Sequence, residues 1–505
     1  MATALRLCIV GPSGVGKTTL AAVLARMTGI PAVFGDAFIK EAETDLDGLR
    51  EALAAQQWIF EHVAGLRLLE TLRLVPSHVV FLRPQQSRAQ QLDSASARDS
   101  PAPREEVPRA TYGTIREALP RLVDLLHTIG IFPPSVRTYV VKIASRCNLN
   151  CSYCYMYAGG LDTNWRAEPP FMTPPTASAV AARIAEYAVD YPNSQFTIVF
   201  HGGEPLTVPA TAFGELAAAF QERLHSHRGV RYGVQTNGTL LSEAYLAELD
   251  RLGFGIGISL DGSDELSNAD RVGFAGESAF TRIVRGLDLA IASAKNERSK
   301  PGVLCVINPL SNGGEVYRYF RAKGVDRIDF LLRDRTWRDP PKAEEIEGNN
   351  QFLKSAFDAW LDDPAPCSVP YFSGVLAGLL AVPESVDTLS LLPPSTLAVS
   401  ASGKWESLDV LRVTYETAWQ TPYNVFDHSV RTVIASTSFK AFVQDKYDLD
   451  DKCLSCRHLL VCGGGHISHR YSVERRFQNP SVHCGSILPF IDYVKNRLLL
   501  ESSSI

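Results

Sequence analysis

Seven of the ten cysteines fall into two groups whose spacing suits metal chemistry. Cys147-Asn-Leu-Asn-Cys151-Ser-Tyr-Cys154 places three thiols in one tight turn directly after the apolar run Thr138–Ile143. A C-x3-C-x2-C loop supplies three thiolates, so a four-iron cubane held there keeps one iron free of protein ligands and open to substrate. A zinc knuckle is the competing use, but zinc usually takes four ligands, and no nearby Cys or His follows to supply a fourth. The second group is Cys453-x2-Cys456-x5-Cys462-x21-Cys484. Four thiolates close a second cubane completely, which suits electron transfer or structure, and zinc competes more strongly for such a set. Cys8, Cys305 and Cys367 stand alone and read as small buried hydrophobes.

Other short motifs sit where strands are predicted to end. His201-Gly202-Gly203-Glu204-Pro205 has two glycines that let the backbone approach a ligand closely, and Glu204 offers a carboxylate to an ammonium group. Thr236-Asn237-Gly238 and Ser259-Leu-Asp261-Gly262 follow the next two strands, with Arg271 shortly after. Asn-Gly and Asp-Gly are ordinary turn dipeptides, so only their shared placement at strand ends points to a site. Asp261 is the candidate proton acceptor or ligand. Near the N-terminus, Gly11-Pro-Ser-Gly14-Val-Gly16-Lys17-Thr18-Thr19 is a complete G-x4-G-K-T loop between an apolar strand, Leu5–Val10, and a helical pattern. Backbone N–H groups of such a loop cradle phosphates, Lys17 reaches the β and γ oxygens, and Thr18 ligates magnesium, so ATP or GTP with Mg is the implied ligand.

The elements that must position these residues form three segments. Residues 1–85 read as a small α/β unit, truncated because too few residues follow the loop for a five-strand core. Residues 86–109 are polar and rich in Ser, Ala and Pro, a linker, and 110–135 a connecting helix. Across 136–350, β-rich runs at Thr138–Ile143, Phe196–Phe200, Arg231–Gln235, Gly255–Ser259, Val303–Ile307 and Arg327–Leu332 alternate with amphipathic helical stretches. Six βα repeats imply a parallel sheet curved into a partial (β/α)6 barrel, with function at the carboxyl ends of the strands. Residues 351–505 carry the second cysteine group.

The chain has 505 residues, 45% hydrophobic, and a net charge of -5. That length accommodates several domains with full cores and excludes global disorder. The charge balance gives no general reason to bind nucleic acid or a membrane surface. No stretch approaches the roughly 18 apolar residues of a membrane helix, and the N-terminus runs into the glycine loop in place of a cleavage site. A cytoplasmic location is expected, where thiols serve metal chemistry more readily than disulfides.

These motifs together resemble a radical S-adenosylmethionine (SAM) enzyme. The resemblance implies that the open iron chelates SAM, that Gly202, Gly203 and Glu204 meet its amino group, and that Tyr153, Asn237, Ser259 and Arg271 contact the rest of it. The C-terminal cysteines resemble the SPASM extension of peptide-modifying members, including the anaerobic sulfatase-maturing enzymes. A full SPASM region carries seven cysteines. Here His466 stands where a cysteine usually follows three residues after Cys462, and the upstream cysteines are missing, so two 4Fe–4S clusters are expected in all. Val141-Lys-Ile-Ala-Ser-Arg-Cys147, Tyr153-Cys-Tyr-Met-Tyr157, Asn164-Trp165-Arg166, Val461-Cys-Gly-Gly-Gly465, His469-Arg-Tyr471 and Asn479-Pro-Ser-Val482-His-Cys484 are similar to FxsB-type maturases over about residues 136–488. That similarity implies a three-residue cyclophane in a ribosomally made precursor peptide, with ferredoxin or flavodoxin as reductant. A further C-terminal extension is expected to be absent. The N-terminal segment resembles adenylate-kinase-like P-loop proteins, without a clean acidic residue after His78–Leu82.

Overall fold

The computed structural model describes residues 136–157, 164–295, 300–380 and 394–502, with 388–389 and 391. Of the first 135 residues it describes Leu53, seven strands and one helix: β1 (Arg6–Val10), α1 (Lys17–Thr28), β2 (Ala32–Phe34), β3 (Ile39–Lys40), β4 (Glu43–Thr44), β5 (Trp58–Glu61), β6 (His78–Leu82) and β7 (Arg109–Tyr112). Gly11, Gly14 and Gly16 lie outside the described residues, as do 86–108 and 113–135 and the side chains of Lys17, Thr18 and Thr19. Five of the strands form a sheet in the order β2-β5-β1-β6-β7, and every pair is parallel. Four of these strands lie within residues 1–85, so that segment alone does not supply five. The fifth strand comes from Arg109–Tyr112, at the junction of the expected linker and connecting helix. It sits at the sheet edge, where four residues with little apolar pattern suffice.

The six expected strands are present: β8 (Thr138–Ala144), β9 (Phe196–Gly202), β10 (Val230–Thr236), β11 (Phe254–Ser259), β12 (Gly302–Val306) and β13 (Ile328–Leu331). They pair parallel in sequence order. Between them run α2 (Pro174–Ala188), α3 (Ala210–Leu224), α4 (Glu243–Arg251), α5 (Phe280–Ser293) and α6 (Gly313–Lys323). Local chemistry sets these ends. Thr173 caps α2 by accepting from Thr176 N, with proline at the first helical positions, while Asn312 caps α6 and Gly324, at φ 92°, stops it.

Burial alternates along the strands, as in β9, β12 and β13. Ile198, Phe200, Val303, Cys305, Ile328 and Phe330 lie in the buried core with helix residues such as Val180, Phe213 and Ile283. The alternate residues, among them Gln235, Gly257, Ser259 and Val306, are half-buried. One face of the sheet is thus packed into the core and the other is only partly covered.

The sheet does not stop at six strands. After α7 (Ala343–Leu361) and α8 (Pro370–Leu379), β14 (Thr396–Val399) pairs parallel with β8, and β15 (Lys404–Glu406) and β16 (Gln420–Asn424) follow antiparallel. The boundary expected at 350/351 falls inside α7, because Phe352, Leu353, Ala356 and Phe357 carry the buried helical face onward. The cysteine-bearing end comprises α9 (Val430–Ala435), α10 (Thr437–Tyr447), α11 (Asp451–Leu454), α12 (Leu459–Cys462) and α13 (Cys484–Ser502). Among the described residues no helix is long and apolar enough to cross a membrane.

Candidate functional site

The three-cysteine loop leaves the carboxyl end of β8 and is tied to the segment after β11. Asn150 N donates to Val272 O (2.8 Å) and Ser152 N to Asp270 O (3.1 Å), while Cys154 N closes a turn onto Cys151 O. All three thiols are half-buried. Leu149 N and Asn237 Nδ2 approach Cys147 Sγ at 3.4 and 3.9 Å. Burial pushes the Cys147 thiol up to about 12 and Cys151 to about 11. Three thiolates here therefore need a bound cation to compensate them, which suits a metal cluster.

The glycine turn after β9 is built for close packing against this loop. Gly202 has φ 130°, and a Cβ there would stand 2.0 Å from Ala144 O. One at Gly203 would stand 2.3 Å from Arg146 O. The backbone uses that closeness: Gly203 N donates to Ala144 O and Glu204 N to Arg146 O, both at 2.9 Å. Glu204 is 0% exposed. Its carboxylate accepts from Thr236 Oγ1 (2.6 Å), Asn237 N (2.7 Å) and Leu206 N (3.0 Å). Burial still pushes the group up to about 7. The side chain ties the ends of β9 and β10 together. Asn237 completes the link, donating from Nδ2 to Asn148 Oδ1 at 2.8 Å.

Ser259 Oγ accepts from Gln235 Nε2 (2.9 Å) at the end of β11. Asp261 receives four donors: Arg271 Nε and Nη2, each at 2.8 Å, Tyr153 Oη at 2.6 Å and Val306 N at 3.0 Å. These four donors occupy both carboxylate oxygens and make the side chain an anchor. It fixes Arg271 and joins the cysteine loop, through Tyr153, to β11 and β12. Tyr153 and Asp261 line a cavity of about 310 Å³ with Ser267, Asp270, Asn308 and Arg333.

Sequence reasoning missed a buried polar group on the opposite side of the loop. Lys142 Nζ pairs with Glu406, whose two oxygens also take Arg412 at 3.1 and 3.2 Å. Asp409 lies 3.8 Å from Lys142 Nζ and accepts from Tyr155 Oη at 3.2 Å. Burial alone would raise Asp409, but Lys142, His201 and Arg412 hold it below its ordinary value, so it stays ionised. Lys142, Glu406 and Arg412 line a larger cavity, about 650 Å³, with Met156, Trp165, Trp419 and Tyr423. The available signal was weak: Glu406 and Asp409 stand among charged and apolar residues of Lys404–Val413 with no spacing that marks a site.

All four thiols of the second group line one largely apolar cavity of about 360 Å³, with Trp337, Leu459, Gly464, Val482 and Leu488. Burial pushes Cys484 up to about 12 and raises Cys453 and Cys462. His466, missing from this lining, meets Asp334 and His469 instead, and burial keeps both imidazoles neutral, pushed down to about 3. None of the ten cysteines forms a disulfide.

A three-thiol loop at the carboxyl edge of a curved parallel sheet, braced by glycine and asparagine turns from the next strands, defines a class of cluster-bearing αβ barrel proteins. Residues 141–329 match the Radical SAM superfamily model. Uncharacterized protein MJ0907 of Methanocaldococcus jannaschii is 31% identical over 220 residues, covering 42% of this chain and 69% of that protein. The cysteine-type anaerobic sulfatase-maturating enzyme of Clostridium perfringens (strain 13 / Type A) is 24% identical over 387 residues, 74% of this chain and 100% of its own. A solved structure of native anSMEcpe with bound AdoMet and Cp18Cys peptide shares the fold at TM-score 0.61 and 23% identity, over 73% of this chain and 99% of that one. The chain belongs to the radical SAM superfamily.

Proposed function

We propose that Cys147, Cys151 and Cys154 hold a four-iron cluster, that SAM occupies its open iron, and that the enzyme modifies a peptide. The observation that carries this reading is the convergence on one cysteine loop of three strand ends, through Gly203, Asn237 and Asp261. When bound, the cluster supplies one electron that cleaves SAM to a 5′-deoxyadenosyl radical. The residues around it position and exclude. Gly202 and Gly203 bring the backbone against the loop, Asn237 approaches Cys147, and Tyr153 and Asp261, which holds Arg271, wall the adjoining cavity, with Ser259 half-buried at the end of β11. Cys453, Cys456, Cys462 and Cys484 hold a second 4Fe–4S cluster, because their cavity is roomier than one ion requires. A ferredoxin or flavodoxin serves as reductant, in a reducing, cytoplasmic compartment.

The reaction we favour is a three-residue cyclophane, a carbon–carbon bond between an aromatic ring and a β-carbon two residues away in a precursor peptide. Holding both partners in one short segment supplies the proximity that ring closure needs. Restoring aromaticity requires loss of one electron, to a cluster held by Cys453, Cys456, Cys462 and Cys484, and of one proton. Asp409, ionised and bonded to Tyr155 of the cysteine loop, is the candidate for the proton in place of Asp261, whose oxygens already receive four donors. The relatives named as sulfatase-maturating enzymes favour a second reading, oxidation of a cysteine or serine side chain. Mass spectrometry of a co-expressed precursor decides: a loss of about 2 Da in a fragment resistant to cleavage between the joined residues supports the cyclophane. An aldehyde trapped by a hydrazine supports oxidation, a loss located at a cysteine sulfur supports a thioether, and an unchanged mass overturns all three.

For the N-terminal unit we propose nucleotide binding with Mg at Gly11, Gly14, Gly16, Lys17, Thr18 and Thr19. The strand β1 and helix α1 flanking that stretch support it. Hydrolysis is expected to be weak, and rapid ATP turnover by the full-length protein would refute that.

A further inference from the structure

Among the described residues, Asp334, His466 and His469 form a close set of metal-ligating side chains outside the thiols. One ligand atom from each lies within 4.8 Å of the others. His469 Nε2 stands 3.2 Å and His466 Nδ1 3.9 Å from Asp334 Oδ1. Bonds of 2.0–2.1 Å in tetrahedral geometry set neighbouring donors about 3.3 Å apart, so these distances bracket what an ion needs without a change of backbone. Ser468 Oγ sits between the donors, 2.8 Å from His466 Nδ1 and 3.4 Å from Asp334 Oδ1.

The frame around the set is rigid. His466 caps a helical turn, Ile467–Arg470, that contains His469, and His469 N donates to His466 O at 3.1 Å. His469 O in turn accepts from Val482 N at 2.9 Å. Asp334 comes from elsewhere, three residues beyond β13, at the carboxyl edge where the cysteine loop also sits.

A third histidine packs against the set. The His483 ring packs edge-on against His469, with centroids 4.7 Å apart. His483 Nε2 lies 2.8 Å from Arg333 O, and a carbonyl only accepts, so Nε2 carries the proton and Nδ1 a lone pair. That lone pair is buried with no donor, on a residue 1% exposed. Such an orphan is costly in a folded protein, and it lies on the ring that packs against His469.

We infer that Asp334, His466 and His469 bind one divalent transition-metal ion, separate from both thiol groups. Two imidazoles and one carboxylate suit zinc or ferrous iron better than magnesium or calcium, which take oxygen ligands. Three protein donors leave a coordination position open, the arrangement that accepts water or a carboxylate or carbonyl of an incoming peptide. The inference rests on these residues alone and stands whichever modification the enzyme performs.

Zinc is the probe that tests it. The full-length protein, with its clusters reconstituted anaerobically, is given one equivalent of zinc, desalted and analysed for zinc and iron, and its zinc K-edge absorption is recorded. The expected result is about one zinc per chain with nitrogen and oxygen neighbours at about 2.0–2.1 Å. Asp334→Asn and His469→Ala should lose the zinc while keeping the wild-type iron content. Failure of the wild-type protein to retain zinc overturns the inference, as does a sulfur shell at about 2.3 Å, which would place the ion on cysteines. Loss of iron in His466→Ala also overturns it, since His466 would then serve a cluster. The wild-type spectrum decides even if a variant fails to fold.

Discussion

Replacing Glu204 by Gln tests the view that this carboxylate ties two strand ends beneath the cysteine loop. It accepts from Thr236 Oγ1, Asn237 N and Leu206 N, and it is fully buried. Glutamine keeps the shape but turns one acceptor into a donor. Its carbonyl can serve Asn237 N and its amide can donate to the Thr236 hydroxyl, which leaves Leu206 N without an acceptor. One orphaned buried N–H costs about 1–3 kcal/mol, or roughly 5- to 150-fold in a local opening equilibrium. Amide hydrogen exchange of 204–208 and 236–239 in the holoenzyme reads that factor directly. pH adds a second handle. Burial raises the carboxyl from 4.5 to about 7, so the opened form ionises first as pH rises. The wild-type tie is therefore strongest below 4.5 and loses up to about 3 kcal/mol by the time pH has risen through 7. Glutamine does not titrate, so the exchange ratio of variant to wild type should be larger at pH 5.5 than at pH 8. No acceleration in these segments, or a ratio that grows with pH, would refute the reasoning.

Changing Cys147, Cys151 and Cys154 together to Ala should abolish SAM cleavage and lower iron from about 8 to about 4 per chain, measured by iron and sulfide analysis after reconstitution. Asp409→Asn should preserve SAM cleavage yet slow formation of modified peptide roughly 100-fold or more, as loss of a general base does, in single-turnover mass spectrometry. Glu406→Gln leaves Lys142 and Arg412 facing each other in a buried site, and should destabilise the fold by about 3–5 kcal/mol in chemical denaturation, more than the double change with Lys142→Met. Lys17→Ala should weaken nucleotide binding in calorimetry without altering SAM cleavage.

Much of the fold was legible because its signals are local. Each strand from β8 to β13 is a short apolar run, and each helix between them carries a 3.6-residue period. Residues packed by their own neighbours announce themselves in a window of ten. The cysteine groups were legible for a related reason, since a loop that wraps one cluster must keep its ligands close in the chain. β14 escaped notice because it follows a Pro/Ser-rich stretch and joins β8, more than 250 residues earlier, through pairing that no local period encodes. β7 escaped because a short edge strand needs few apolar residues.

Sequence alone determined which residues stand at the strand ends; tertiary structure decided what each one does there. Glu204, Asp261 and Asp409 are all acids near turns, and spacing cannot rank them. Folding surrounds Asp261 with four donors and spends it on Arg271 and Tyr153, buries Glu204 among three donors, and leaves Asp409 bonded to Tyr155 with Lys142 beside it. A carboxylate's role follows from the number and charge of the groups aimed at it, and those groups come from segments up to 267 residues away, as between Lys142 and Asp409. The same holds for Asp334 and His469, 135 residues apart in the chain and 3.2 Å apart in space. Only packing brings them together, because the strand that delivers one and the turn that delivers the other are placed by burial of apolar faces that neither residue belongs to.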